Sequence, residues 1–156
     1  MTLRGDTAAY TVAPGAPRAA VDAAHRGALL ALVERLEIVS LGIPGRGPWP
    51  PEVAKAVTAL LPRRRRLSPL RRTSVCADLV PADSRELALA LAVAPYADYV
   101  VGTTHDGPVA YDTVDQGTAP WFELTLTELQ AAQDYMAAQG VSPDLLVPDP
   151  RLDTHG

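Results

Sequence analysis

Apolar positions recur at helical spacing in four stretches of the chain and alternate with polar ones in several others. From Arg18 to Glu37 the residues Val21, His25, Ala28, Leu32 and Leu36 fall three or four apart, with Leu29 and Val33 widening the stripe, the pattern of a helix with one buried face. Asp22 and Arg26 are spaced for an i,i+4 pair on its wet side, and Gly27 weakens its interior by about 1 kcal/mol. A second helix is predicted from Pro51 to Leu61, since proline suits the first helical position and Pro62 stops it. A third runs from Ser84 to Ala94 behind an Asp83-x-x-Glu86 cap. The last opens on the capping box Thr125-x-x-Glu128 and closes at Gly140.

Period-two alternation marks the strands. Thr73 to Val80 places Val75, Ala77 and Leu79 on one face and Cys76 on the other. Tyr99–Thr103 and Val109–Thr113 flank the His105-Asp106-Gly107-Pro108 turn and form a hairpin, in which Tyr99 shares a face with Val101, and Val109 with Tyr111. Glu37–Leu41 is a fourth short strand, and Trp121–Leu124 reads as a further one. The expectation is a single α+β domain over residues 18–140, with a small, mostly antiparallel sheet of three or four strands against about four helices. Residues 1–17 and 141–156, rich in proline and poor in periodicity, read as tails.

Length and composition narrow the class. At 156 residues the chain is long enough to bury one core without disulfides or metal. The core is drawn from Ala, Leu and Val, because aromatics make up only 5%. One cysteine, Cys76, excludes an internal disulfide and points to a reducing cytoplasm. The longest apolar run, Leu87 to Pro95, is too short to span a bilayer. Thirteen of the 14 basic residues are arginine, a composition expected of a high-GC bacterial source.

Charge is unevenly distributed. Residues 1–97 hold 13 basic and 8 acidic side chains, and residues 98–156 hold one arginine and ten acids, so the two parts carry +5 and −9. Such a layout can steer a charged partner or favour head-to-tail association. The densest basic run comprises Arg63, Arg64, Arg65, Arg66, Arg71 and Arg72. It lacks interleaved aromatics, and no recognition helix or zinc motif accompanies it, so a protein-facing role is favoured over nucleic-acid binding.

Candidate chemistry is sparse. A cysteine nucleophile needs a nearby histidine and an orienting third group, for which Cys76, His105 and Asp112 are the available residue types, with Tyr111 as a further acid or base. Cys76 also reads as a small core thiol, and Asp106, Asp112 and Asp115 as turn formers. His25, on an apolar stripe, reads as a neutral, hydrogen-bonded core residue. No spacing suits a metal site, and neither a phosphate loop nor a dinucleotide fingerprint is present, so no metal or cofactor is expected. Trp49 and Trp121, beside loops, either cap the core or anchor a partner.

Three functions remain in order of preference. The first is a cytoplasmic, non-catalytic module that binds a protein partner or self-assembles, in an accessory, regulatory or immunity-type role, through Arg63–Arg66, Arg71, Arg72, Trp49 and Trp121. The second is a small metal-independent biosynthetic enzyme acting on a small-molecule ligand through His105, Asp112, Tyr111 and Cys76. The third is nucleic-acid binding through Arg63–Arg72.

Overall fold

The computed structural model describes residues 6–44, 47–61 and 74–150. Four α-helices pack on a seven-stranded antiparallel sheet, an α+β domain with a larger sheet than the three or four strands expected. In chain order the elements are β1 (Thr7–Val12), α1 (Arg18–Leu32), β2 (Leu36–Pro44), α2 (Pro51–Leu60), β3 (Ser74–Leu79), α3 (Ser84–Val93), β4 (Tyr99–Thr104), β5 (Val109–Val114), β6 (Trp121–Thr125), α4 (Leu126–Ala138) and β7 (Leu146–Pro148). The strand order across the sheet is β3-β2-β4-β5-β6-β1-β7.

The additional strands come from both ends of the chain. β1 lies in the stretch read as an N-terminal tail, and β7 in the stretch read as a C-terminal one. β1 pairs with β6 from Thr7↔Thr125 to Tyr10↔Phe122 and with β7 from Tyr10↔Pro148 to Val12↔Leu146. Neither segment carries enough alternation to announce a strand, because each is short and gains its partners only from residues more than a hundred positions away.

The long N-terminal helix also stops early. α1 ends at Leu32, and Leu36, which continues its stripe, is instead the first residue of β2. Arg35 stabilises this change of direction. Its guanidinium makes a bidentate pair with Glu128 at 2.7 and 2.9 Å and also donates to the Glu123 carbonyl. The local helix ends behave as their sequences require. Asp83 accepts from the Arg85 and Glu86 amides, and Thr125 from the Glu128 amide. Gly140 takes φ +76°, which frees the Val141 amide to bond Met136.

All four helices cover the same sheet face. Val39, Leu41, Ile43, Val75, Leu79, Val100, Tyr111, Phe122 and Leu124 meet Leu29 and Leu32 of α1, Val57 and Leu60 of α2, Val93 of α3 and Met136 of α4 in one buried cluster. α1 and α4 approach most closely at Gly27, where an added Cβ would lie 2.9 Å from the Ala132 carbonyl oxygen. The glycine that weakens α1 as an isolated helix is thus what admits α4.

One register detail changes which side chains share a face. β4 and β5 pair Gly102↔Tyr111 but Thr103↔Val109, a shift of one residue at Ala110. Tyr111 therefore turns into the core while Val109 follows the opposite face, and the two do not share a side as strict alternation predicts. The expected Asp22–Arg26 pair is also replaced. Asp22 bonds Arg18 at 2.8 Å, and Arg26 donates to the Leu91 carbonyl.

Gly27→Ala would raise stability by about 1 kcal/mol in an exposed helix. Here it is expected to lower stability by roughly 1–3 kcal/mol through overpacking against α4, which urea denaturation would read directly.

Candidate functional site

The sheet face opposite the helices is open among the described residues. Its strands contribute Cys76 and Asp78 from β3, Ile38 and Ser40 from β2, Tyr99, Val101 and Thr103 from β4, Asp112 and Val114 from β5, and Trp121 and Glu123 from β6, each alternating with a core residue. Ile38 is 36% exposed, Tyr99 39% and Val114 45%. These are high values for large apolar side chains on regular strands, whose opposite neighbours are fully buried.

The pairings arrange this face in cross-strand rows. One row runs Asp78, Ser40, Val101, Asp112, Trp121 through five neighbouring strands. A second runs Cys76, Gly42, Tyr99, Val114, in which the Tyr99 ring lies against Gly42 so closely that a Cβ there would overlap it. At the usual interstrand spacing Asp78 and Asp112 stand about 14 Å apart, while Asp112 and Trp121 are immediate neighbours. Among the described residues no strand carries lysine or arginine, and the charges on the strands are Glu37, Asp78, Asp112 and Glu123. Glu123 accepts from the Thr7 hydroxyl. Among the described residues the strand charges of this face are therefore acidic, and exposed apolar side chains stand between them.

The residues considered for catalysis are dispersed across this scaffold. Tyr111 is fully buried under the helices, whereas the next residue, Asp112, is exposed on the open face. His105 is exposed in the β4–β5 turn. Cys76 is partly exposed on β3, where its row meets β4 at Tyr99, the end of that strand remote from His105. Cys76 and Asp112 are separated by three strand spacings as well as by register. The structure brings no two of His105, Asp112, Tyr111 and Cys76 together as a reacting set. Among the described residues no group of three potential metal ligands occurs, and no helix is long and apolar enough to cross a membrane.

Of the residues considered for partner contact, Trp121 lies on the open face, while Trp49 is partly buried against the core cluster. Arg63, Arg64, Arg65, Arg66, Arg71 and Arg72 lie outside the described residues. Ile38, Val101 and Asp78 belong to the same face as Trp121 but carried no functional signal in the sequence. Their alternation was visible, yet the sequence does not state which of two faces the helices leave bare.

Tyr111 instead completes a buried polar group with His25. His25 is fully buried on α1. Its Nδ1 accepts from the Tyr111 hydroxyl and its Nε2–H donates to the Gly117 carbonyl at 3.1 Å, an arrangement that fixes the neutral Nε2–H tautomer. The imidazole meets the Phe122 ring edge-on at a centroid distance of 5.5 Å. Burial lowers its pKa to about 4, and the nearby Arg18 and Arg26 charges act in the same direction, against the Gly117 bond. Burial likewise pushes the Tyr111 hydroxyl well above its usual value.

Gly117 belongs to an unusual turn. Asp115, Gln116 and Gly117 take φ of 50°, 59° and 80° in succession, conformations that cost the two non-glycine residues roughly 1–2 kcal/mol each. The turn is held by amide bonds from Asp115 and Gln116 to the Asp98 and Ala97 carbonyls, and Arg18 donates to the Gln116 carbonyl at 2.7 Å. An added Cβ at Gly117 would lie 2.7 Å from His25 Nε2. Beyond the turn is a groove of about 620 Å³ lined by Val12, Pro14, Val21, Gly117, Thr118 and Pro148 among others. It contains none of the candidate catalytic residues.

No family model, curated protein or solved structure matches the chain. The reading of the site therefore rests on its own geometry.

The His25 environment has a pH signature. Its folded pKa, near 4, lies below the unfolded value of 6.5, so the unfolded chain binds the extra proton first as pH falls. The stability is fully present above pH 6.5 and declines by about 3 kcal/mol as pH drops to 4. Urea midpoints measured across that window should fall for the wild type, and His25→Gln should flatten that component while lowering stability at pH 7.5.

Proposed function

We propose that this protein is a non-catalytic protein-binding module of accessory or regulatory type, and that its open sheet face docks a different protein with an apolar, basic surface. The observation that carries the reading is that the helices leave this face open among the described residues. Ile38, Tyr99 and Val114 are exposed around Val101 and Trp121, and every charge borne by the strands is negative. An antiparallel sheet commonly leaves one face in water, but that face is then dressed in polar side chains. Here Ile38, Tyr99, Val101, Val114 and Trp121 add apolar area among the polar side chains, as a protein interface does.

Charge is the reason to prefer a foreign partner to a second copy. A twofold face-to-face dimer sets the same patch against itself, so Asp78, Asp112 and Glu123 would confront their own copies across a desolvated layer. Like charges so placed are unfavourable, whereas lysine or arginine on another protein would be attracted. The dispersal of His105, Asp112, Tyr111 and Cys76 is the reason to prefer binding over catalysis.

The test is made with a partner captured by the wild-type protein and then purified. Ile38→Ser with Val114→Ser is expected to weaken its binding by about tenfold or more, because two apolar contacts are lost. Asp78→Lys with Asp112→Lys should weaken it as well, and the wild-type affinity should fall with salt. Unchanged affinity in both double variants would overturn the reading, as would a homo-oligomer that forms through this face and survives the charge reversal.

A further inference from the structure

Asp112 and Trp121 bring a carboxylate and an aromatic residue together as a cross-strand pair on the open face. β5 and β6 pair them across the strands, and on the other side Asp112 is paired with Val101. Opposite residues of an antiparallel pair have Cβ atoms about 5 Å apart. That spacing puts the Asp112 carboxylate and the Trp121 side chain within the span of one planar cation. Asp112 is exposed, and no hydrogen bond or ion pair holds its carboxylate among the described residues. The structure thus supplies an acceptor, a stacking surface and an apolar flank in one row.

We infer that Asp112, Trp121 and Val101 form a subsite for an arginine side chain of the docked partner. The inference rests on the docking reading above and specifies its chemistry. The guanidinium would stack on the indole while donating two parallel N–H bonds to the Asp112 oxygens, and its methylene stem would cover Val101. Arginine suits this arrangement better than lysine, because its charge is spread over a plane that can stack and fork at once. A lysine ammonium could pair with Asp112 or sit over Trp121, but as a point charge it gains less from doing both.

The same row assigns a different part to Asp78. It stands about 14 Å from Asp112 with Ser40 and Val101 between, and its one cross-strand neighbour among the described residues is Ser40, which offers no aromatic surface. It can attract a basic partner at long range but offers no stacking surface. Arginine preference is thus localised at the β5–β6 end of the row.

The experiment uses N-acetyl-arginine-methylamide and its lysine analogue as probes of the full chain, followed by the Trp121 indole ¹H–¹⁵N resonance. The expected result is a saturable shift with the arginine probe, and roughly threefold weaker binding of the lysine probe. Asp112→Asn should remove most of the arginine shift, while Asp78→Asn should leave it intact. Trp121→Leu should reduce arginine affinity by a similar factor, read from the methyl resonances of Val101. Absence of a Trp121 shift, equal affinity for the two probes, or an unchanged response in Asp112→Asn would each overturn the subsite. If the probe fails while the Ile38/Val114 variant still loses the purified partner, the subsite falls and the docking face stands. If the probe binds while that variant keeps full affinity, the docking face falls.

Discussion

The buried imidazole of His25 connects three parts of the molecule that sequence order keeps apart. One nitrogen takes a bond from Tyr111 on β5, and the other gives a bond to Gly117 in the connection to β6. The helix that covers the sheet, the strand at its centre and the turn that leads to the next strand are thereby fixed to one ring. Each partner would otherwise be a polar group enclosed without water, at about 1–3 kcal/mol apiece. The left-handed path of Asp115, Gln116 and Gly117 is sustained by the Asp115 and Gln116 amides on the Asp98 and Ala97 carbonyls, by Arg18 on the Gln116 carbonyl and by His25 on that of Gly117.

The position of β6 follows from that turn. With Gly117 held against His25, the chain re-enters the sheet at Trp121, pairing Asp112 with Trp121 and Tyr111 with Phe122. The first pair faces outward and the second inward. A single arrangement therefore builds both the aromatic core around His25 and the carboxylate–indole pair on the open face. β6 in turn offers its free edge to β1, which carries β7. The stability of the core and the make-up of the proposed docking face are two outcomes of one constraint.

The distribution of charge acquires a spatial meaning in the same frame. The C-terminal part of the chain is acidic in sequence, and two of its acids, Asp112 and Glu123, stand on the open face with Asp78 from the other part. Arg18 and Arg35 are engaged elsewhere, on the Asp115–Gly117 turn and on Glu128. Among the described residues the strands bear acids alone beside the exposed apolar side chains. The proposed basic partner suits that combination better than a second copy would, which a net charge of −4 for the whole chain does not reveal.

Four helices, the central strands and the hairpin were legible in the sequence because each rests on a local signal. Thr125 caps α4, Asp83 caps α3, Pro51 opens α2, and alternation marks β3 and β4. His25 was legible as a hydrogen-bonded core residue because it stands on an apolar helical stripe. The sequence did not determine β1 or β7, whose few residues become strands only when β6 and β1 present an edge to them. It also did not determine that Leu36 leaves the helix, which depends on Arg35 reaching Glu128, or that Ala110 shifts the register and parts Val109 from Tyr111. For function the limit is the same. Alternation along a strand separates two faces, but only the packing of all four helices on one of them decides that Ile38, Val101, Asp112 and Trp121 meet solvent together.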